Sequence, residues 1–308
     1  MKISAIAKLW NEDKKRYVKQ STSSAYYLLL QNHILPHFGE RETLTEDEVQ
    51  EWVYEKNDKG LSRKSIQDSL IVLKMVLKFG AKKNLFDFKN DFEIKYPPKK
   101  NVSEIKHEPE TMPKAHFNKL SEYLINNFSF QNLGILIAMH TGMRIGEICA
   151  LKWKDVDIDN AVFIVNKTRQ RIYFLNEQTG KMQTKILDDS AKTVHSNREI
   201  PIPKKLLKII KQLKKIVNDD FFVITNTING TEPRTYRNYF LNILDLTEIT
   251  RIKFHGMRHT FATMCLAGGA DIKTTSTILG HSKVGITMDL YMHPDKEEKR
   301  KAIDKIFK

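Results

Sequence analysis

Two arginines, two histidines, one lysine and one tyrosine in the second half of the chain are side chains that together suit phosphodiester chemistry. They are Arg144, Lys192, His255, Arg258, His281 and Tyr291. Arginine presents a planar fork that binds two non-bridging phosphate oxygens and stays charged. No nucleophilic serine, cysteine pair or carboxylate cluster competes with this set. The residue types therefore indicate a phenol that attacks a phosphodiester, with no metal or other cofactor required.

Each of the other groups has a task in such an attack. The tyrosine hydroxyl, with an ordinary pKa near 10, needs a base or positive neighbours, and a histidine suits that role. The leaving sugar oxygen is more basic than a phenol, so protonation by a lysine is worth a factor of about 100 to 10,000. The phosphotyrosyl ester would conserve the bond energy, so no nucleotide would be consumed.

In this order along the chain, the six residues resemble the active site of the tyrosine recombinase family, which comprises the phage integrases and Xer-type recombinases. The resemblance implies that Arg144 and Arg258 bind the scissile phosphate and that His281 donates a hydrogen bond to it. Tyr291 would form the 3′-phosphotyrosyl link and Lys192 would protonate the 5′ oxygen.

The resemblance also implies roles for three further residues. His255 would manage the proton of the nucleophile, and Glu147 would orient the helix that begins at Arg144. We expect His259 to pack beside these groups. His255 and His259 have the spacing of a zinc pair, but a glutamate base and a third ligand are absent, so we expect no metal.

Several of these assignments have alternatives. Lys181 or Lys185 could serve in place of Lys192, which is favoured because Lys-Thr, then an arginine six residues after the lysine, then Ile-Pro resembles the family's hairpin. Arg144 and Glu147, three residues apart, could form a simple surface ion pair. A lone tyrosine such as Tyr291 is ordinarily a core or surface residue.

The charge of the chain supports a nucleic-acid partner. Lys and Arg number 51 against 37 Asp and Glu, which gives a net charge of +14 and a pI near 9.5. A polyanion such as double-stranded DNA is the natural partner, although a lysine-rich genome alone would give a basic protein. Candidate phosphate contacts are Arg63, Lys64, Lys99 and Lys100.

The elements that must position these residues fall into two domains. Residues 1–95 show helical periodicity, with caps predicted at the Ser21–Ser24 cluster, at Thr45 in a capping box with Glu48, and at Ser62. The resemblance implies a helical SAM-like core-binding domain here. Four prolines mark residues 96–113 as a linker.

Residues 114–308 correspond to the catalytic domain in that resemblance. Helices are predicted near Lys114–Asn126 and Leu133–His140, and β-branched runs at 162–165, 172–174 and 199–202 predict a small antiparallel sheet. Phe221–Ile224 fits either a strand or the edge of a buried helix. The predicted fold class is mainly α with one small antiparallel β-sheet.

We predict a site-specific DNA recombinase, the integrase of a mobile element, that works through a Holliday junction as a homotetramer on two DNA sites. When free it would be monomeric or weakly associated, and an accessory excision or bending protein is possible. A Xer-like dimer resolvase is the first alternative; a non-catalytic DNA-binding regulator and a relaxing enzyme like the type IB topoisomerases follow. The apolar tail residues would pack on a neighbouring protomer or on their own: Ala302, Ile303, Ile306 and Phe307.

Two observations bear on where the protein works. No apolar stretch approaches the roughly 20 residues needed to cross a bilayer, and no apolar signal region follows the first two residues, so we expect a cytoplasmic, nucleoid-associated protein without membrane contact. Cys149 and Cys265 cannot form a disulfide framework and are predicted to be small buried hydrophobes.

Overall fold

A computed structural model describes residues 1–88, 92–97, 110–176, 179, 182–190, 197–281, 284–285, 288, 300 and 303–304. The chain divides into two compact units. The first comprises Met1–Ile105 with Ile172–Lys185, and the second comprises Lys106–Arg171 with Ile186–Lys308. The mainly helical fold class with small sheets is confirmed. The boundaries 1–95, 96–113 and 114–308 stay a prediction.

The helices of the first unit pack around an apolar core that contains Trp10, Phe38 and Trp52, each at most 1% exposed. A π-helical turn, Leu30–Ile34, joins the second and third helices. The helices are α1 (Ile3–Lys15), α2 (Gln20–Leu29), α3 (Leu35–Phe38), α4 (Glu46–Asp58) and α5 (Arg63–Lys82).

Two of the three predicted caps in this unit are confirmed. The side chain of Thr45 accepts a hydrogen bond from the Glu48 backbone, and the Glu48 carboxylate accepts one from the Thr45 backbone. Ser62 caps α5 through the backbone N–H of Ser65. The cap predicted at Ser21–Ser24 is wrong: α2 begins at Gln20 with Lys19 at the cap position, so these residues lie inside its first turns.

Among the described residues, the second unit contains seven bounded α-helices and one 3-10 helix, Trp153–Asp155. A continuous core that includes Trp153, Phe163 and Phe240 lies between them and the sheet. Its helices are α6 (Lys114–Asn126), α7 (Phe130–Thr141), α8 (Ile145–Ala150), α9 (Lys204–Leu213), α10 (Pro233–Leu246), α11 (Phe254–Ala267) and α12 (Ile272–Leu279). The predicted helix over 114–126 matches α6, and α7 extends the predicted one at both ends.

The predicted antiparallel sheet is present in part: the runs at 162–165 and 199–202 pair in it, in the strand order β1-β2-β5, but the run at 172–174 lies outside it, in β3. Val156 pairs with Phe163, and Phe163 pairs in turn with Ile200. A separate two-stranded sheet pairs β3 with β4. The strands are β1 (Val156–Asp157), β2 (Val162–Val165), β3 (Lys167–Leu175), β4 (Met182–Ser190) and β5 (Arg198–Pro201).

Phe221–Ile224 is neither a regular strand nor a helix edge, so both predicted readings are wrong. Phe222 makes isolated bridges with Lys152 and Thr227, and Val223 donates a backbone hydrogen bond to Leu151. Phe222, Val223 and Ile224 are buried because the turn lies against the core, not because a periodic element carries them.

The cysteines agree with the prediction in part. Cys149 is fully buried, and burial raises the pKa of its thiol to about 12, whereas Cys265 is only partly buried. Within the described ranges, no helix combines the length and apolar character needed to traverse a bilayer.

Candidate active site

Six of the eight residues predicted for the site or its surroundings lie in the second unit, near the ends of three helices. Arg144 and Glu147 lie at the start of α8. His255, Arg258 and His259 lie on α11, and His281 follows α12. The other two, Lys192 and Tyr291, lie outside the described residues.

Arg144 is placed by a glycine turn. Gly142 ends α7 in the left-handed conformation, with a φ of +64°, and its N–H donates to Ala138. A side chain at Gly142 would meet Leu279 and Phe261 at 2.7 Å, so the turn needs glycine for both its backbone and its space. Arg144 then begins α8 with its side chain 39% exposed, which leaves it open to a ligand.

Arg258 joins two glycine turns. Its Nη1 donates to the carbonyl of Gly142 at 3.0 Å, and its Nη2 donates to the carbonyl of Leu279 at 2.6 Å. The residue is only 2% exposed. Both acceptors are main-chain carbonyls, which carry no net charge, so these two bonds do not neutralise the guanidinium.

The C-terminal end of α12 brings His281 to the same place. Gly280 adopts a φ of +67°, its N–H donates to Thr277, and the N–H of His281 donates to Ser276. This pair of bonds is a Schellman motif, which leaves the following carbonyls of the helix end without intrahelical partners.

Three arginines donate to three successive carbonyls at this helix end. Arg198 Nε binds Ile278 at 2.7 Å, Arg258 Nη2 binds Leu279 at 2.6 Å, and Arg144 Nη2 binds Gly280 at 3.4 Å. The carbonyls are those of Ile278, Leu279 and Gly280. The C-terminus of a helix carries partial negative charge, so cations are favoured there.

Glu147 lies between two of these arginines. Its carboxylate accepts bonds of 3.0 and 2.9 Å from Arg198, one of 3.0 Å from Arg144 Nη1 and one of 2.8 Å from the Arg144 backbone. Burial alone would raise the pKa of Glu147, but the hydrogen bonds and charges of Arg198 and Arg144 outweigh it and lower that pKa. The carboxylate is therefore ionised, and the pair Arg144–Glu147 is not an isolated surface ion pair.

The histidines complete a cluster around Arg144 and Arg258. Burial, then the charges of Arg258 and Arg144, lower the pKa of His281 to about 4. Burial, then His259, Arg258 and Arg144, lower the pKa of His255 to about 4. Both rings are therefore neutral near pH 7, so each has one nitrogen able to donate and one able to accept.

His259 lies one turn after His255 on α11. Their rings meet edge to face, with centroids 4.7 Å apart. Burial and the charge of Arg258 lower the pKa of His259. Over the ranges that the structure describes, no group of three His, Cys, Asp or Glu residues is arranged to hold a metal ion.

Arg198 is the site residue that the sequence analysis did not assign. It was noticed only as the marker of the strand that follows Lys192. Its side chain is 5% exposed and contacts Glu147 and Ile278, which lie 51 and 80 residues away in sequence. The available signal was an arginine two residues before an Ile-Pro-Ile run in a lysine-rich chain.

The candidate DNA contacts are partly described. The guanidinium of Arg63 lies 4.6 Å from the ring centroid of Tyr96, and Lys64 is paired with Asp68. Lys99, Lys100 and the alternative Lys181 lie outside the described residues. Lys185, the other alternative to Lys192, is exposed on β4 with its Nζ 5.6 Å from the ring centroid of Phe174.

Comparison with known proteins gives two family matches. The model of the phage integrase family matches residues 98–298, and that of the phage integrase N-terminal SAM-like domain matches residues 2–57.

Curated relatives carry recombinase and integrase names. A tyrosine recombinase XerC-like protein of Caldanaerobacter subterraneus is 29% identical over 55% of this chain and 47% of its own length, so this chain spans about half of that relative. Tyrosine recombinase XerC of Pediococcus pentosaceus is 27% identical over 81% of this chain and 78% of its own. The ICEBs1 integrase of Bacillus subtilis is 22% identical over 90% of this chain and 75% of its own length.

Solved structures share the fold. The Tn1549 transposon integrase, in complex with transposon right end DNA, has a TM-score of 0.76 at 21% identity and covers 100% of both chains. A lambda integrase tetramer bound to a Holliday junction has a TM-score of 0.64 at 16% identity, over 94% of this chain and 77% of that one. The chain belongs to the phage integrase family, the tyrosine recombinases.

Proposed function

We propose that the protein is a site-specific DNA recombinase that cuts and rejoins DNA through a phosphotyrosyl intermediate, and that it is the integrase of a mobile element. The observation that carries this proposal is the convergence of Arg144, Arg258, His255 and His281 at the end of α12. Two guanidiniums and two neutral imidazoles are the groups that a phosphodiester and its attacking phenol require.

In this mechanism Arg144 and Arg258 bind the non-bridging oxygens of the scissile phosphate, and His281 donates a hydrogen bond to one of them. The Tyr291 oxygen attacks phosphorus while the bond to the 5′ oxygen breaks. The phenolic proton passes to neutral His255, and Lys192 gives a proton to the departing 5′ oxygen. Attack by the 5′ hydroxyl of a second strand reverses the step and releases Tyr291.

Two of these roles follow from the residues' environments. A pKa of about 4 makes His255 a weak base, so it accepts the proton only as negative charge develops on the bound phosphate. The exposed side chain of Arg144 offers the first point of contact for the phosphate, whereas the nearly buried Arg258 shapes the floor of the site.

The DNA partner and the assembly are part of the proposal. The net charge of +14 supports a polyanionic partner. The likeness to a lambda integrase tetramer on a Holliday junction supports a homotetramer on two double-stranded sites, with Arg63, Lys64, Lys99 and Lys100 as phosphate contacts. We place the protein in the cytoplasm, at the nucleoid, where its substrate is.

A covalent trapping experiment tests the proposal. Junctions made in cells that express the full chain are sequenced to identify the recombination site. The recovered site is then synthesised as a duplex with a nick close to the cleavage position. The short fragment that carries the 5′ hydroxyl dissociates after cleavage, so the strand cannot be rejoined. The wild-type chain should form a covalent adduct. The Tyr291→Phe variant should form none, while Tyr54→Phe, which changes an exposed tyrosine of α4, should match the wild type.

Resolution of dimers by a Xer-like recombinase is the second candidate, because XerC of Pediococcus pentosaceus is 27% identical over 81% of this chain. Plasmids that carry the recovered site discriminate the two. Joining of two dissimilar sites to give hybrid junctions supports an integrase, whereas exchange restricted to identical sites that converts dimers into monomers supports a resolvase. An attachment site and an excision gene beside the coding sequence would support the integrase.

A further inference from the structure

We infer that Arg198 is a positioning residue of the recombination site, which compensates the charge of Glu147 so that Arg144 remains available to the scissile phosphate. This inference rests on the proposed function, because it assigns the role of one side chain in that same site. Arg198 is not expected to contact DNA itself, because all three nitrogens of its guanidinium donate to Glu147 or Ile278.

The charges of the site support this role. Arg144, Arg198 and Arg258 contribute three positive charges and Glu147 contributes one negative charge. Without Arg198, Arg144 would be the charged partner left to the buried Glu147 carboxylate within the described part of the chain, and the carboxylate oxygens would compete with a phosphate for that guanidinium. Arg198 prevents this competition because it binds both carboxylate oxygens, at 3.0 and 2.9 Å.

Arg198 also fixes the position of His281. Arg198 Nε donates to the carbonyl of Ile278 at 2.7 Å, three residues before His281. A side chain at Gly280 would approach Arg198 Cδ at 3.0 Å, so the turn and the guanidinium are closely fitted. Arg198 therefore fixes the end of α12 and the start of α8 to each other, which sets the distance between His281 and Arg144.

The sheet holds Arg198 in place. It is the first residue of β5, whose neighbour β2 holds it in the sheet through the pair Val165–Arg198. A bidentate bond to Glu147 and a third bond to Ile278 use three donors in the fixed geometry of one guanidinium. Lysine carries the charge but cannot make these three bonds together.

The test is the single-turnover cleavage rate on the nicked duplex described above, for variants of Arg198 and Glu147. We expect Arg198→Ala to lower the rate about 100-fold, with the affinity for the duplex within a few-fold of wild type. Arg198→Lys should lower the cleavage rate about tenfold, because lysine keeps the positive charge but not the hydrogen-bond geometry of the guanidinium. Arg251→Ala, which removes an exposed bidentate pair with Asp245, serves as the matched control and should cleave normally.

The double variant separates charge compensation from a purely structural role. Once Arg198 is gone, Glu147→Gln removes the uncompensated carboxylate, so Arg198→Ala/Glu147→Gln should cleave about tenfold faster than Arg198→Ala alone. A structural role predicts instead that the double variant is no faster than the single one. If Arg198→Ala does not fold, the same comparison is made between Arg198→Gln and Arg198→Gln/Glu147→Gln, because glutamine fills more of the space and carries no charge.

The outcomes distinguish this inference from the proposed function. Cleavage by Arg198→Ala within threefold of wild type, or no gain in the double variant, overturns the role of Arg198 while the recombinase assignment stands. Failure of the wild-type chain to form any adduct contradicts the recombinase assignment, and the role of Arg198 falls with it.

Discussion

The guanidinium of Arg258 donates to the carbonyl of Gly142 at 3.0 Å, across 116 residues of sequence. This bond, with the one to Leu279, joins the end of α7 to the end of α12 and so brings the Arg144 turn beside the His281 turn. The same side chain that is proposed to bind phosphate therefore also holds the site together.

Arg258→Ala should lower the free energy of unfolding by about 3 kcal/mol or more, because it leaves two buried carbonyls without their charged donor. Chemical denaturation of the wild-type and variant chains measures this loss. Arg144→Ala is the control: its side chain is 39% exposed, so its loss should stay below about 1 kcal/mol. Equal losses for the two arginines would contradict the structural part of the Arg258 assignment.

Arg144→Ala should abolish cleavage while DNA binding survives. The variant loses the most accessible guanidinium of the site but keeps the rest of the basic surface, so a mobility-shift assay should give an affinity near that of the wild type. No covalent adduct should form on the nicked duplex. Cleavage at the wild-type rate would refute the role assigned to Arg144.

Gly280→Ala should impair cleavage far more than Gly269→Ala. Both glycines have a positive φ, +67° and +89°, so each alanine costs about 1–2 kcal/mol of stability. Only at Gly280 would the new methyl group meet a neighbour, Arg198, at 3.0 Å; none lies within 4 Å of Gly269. Rates measured on the nicked duplex test this, and equal rates for the two variants would count against the fit of Arg198 to the turn.

The protein should lose stability as the pH falls from about 6.5 toward 4. His255 and His281 have pKa values of about 4 in the folded chain, below the ordinary 6.5, so the unfolded chain binds more protons in this window. The stability that the neutral rings contribute is complete above pH 6.5 and is lost on acidification. Denaturation at a series of pH values gives the free energy of unfolding of the wild type and of His255→Asn/His281→Gln. The difference between the two free energies should shrink as the pH falls, and a difference that does not change with pH would contradict the lowered pKa values.

Local signals in the sequence predicted the elements well. The Thr45–Glu48 capping box, the cap at Ser62 and the helix over 114–126 depend on contacts within a few residues, and the structure contains all three. The cap at Ser21–Ser24 was wrong because the cluster offered several equivalent hydroxyls and the helix begins before all of them.

Tertiary relationships were less accessible. Phe222–Ile224 is buried by its position against the core, which no periodicity reveals. Arg198 acquires its partners only when β5, α8 and α12 meet, so its type and its neighbours in sequence did not disclose its role. The convergence of Arg144, His255, Arg258 and His281 was foreseen only because their order resembles that of a known family.

Mapping the attachment site shows whether Tyr291 becomes covalently attached to DNA. The adduct trapped on the nicked duplex is digested with protease and nuclease, and the modified peptide is sequenced by mass spectrometry. We predict a nucleotide phosphate on Tyr291 and on no other residue. Attachment at a different side chain, or a wild-type protein that is never attached to the recovered site, would contradict it.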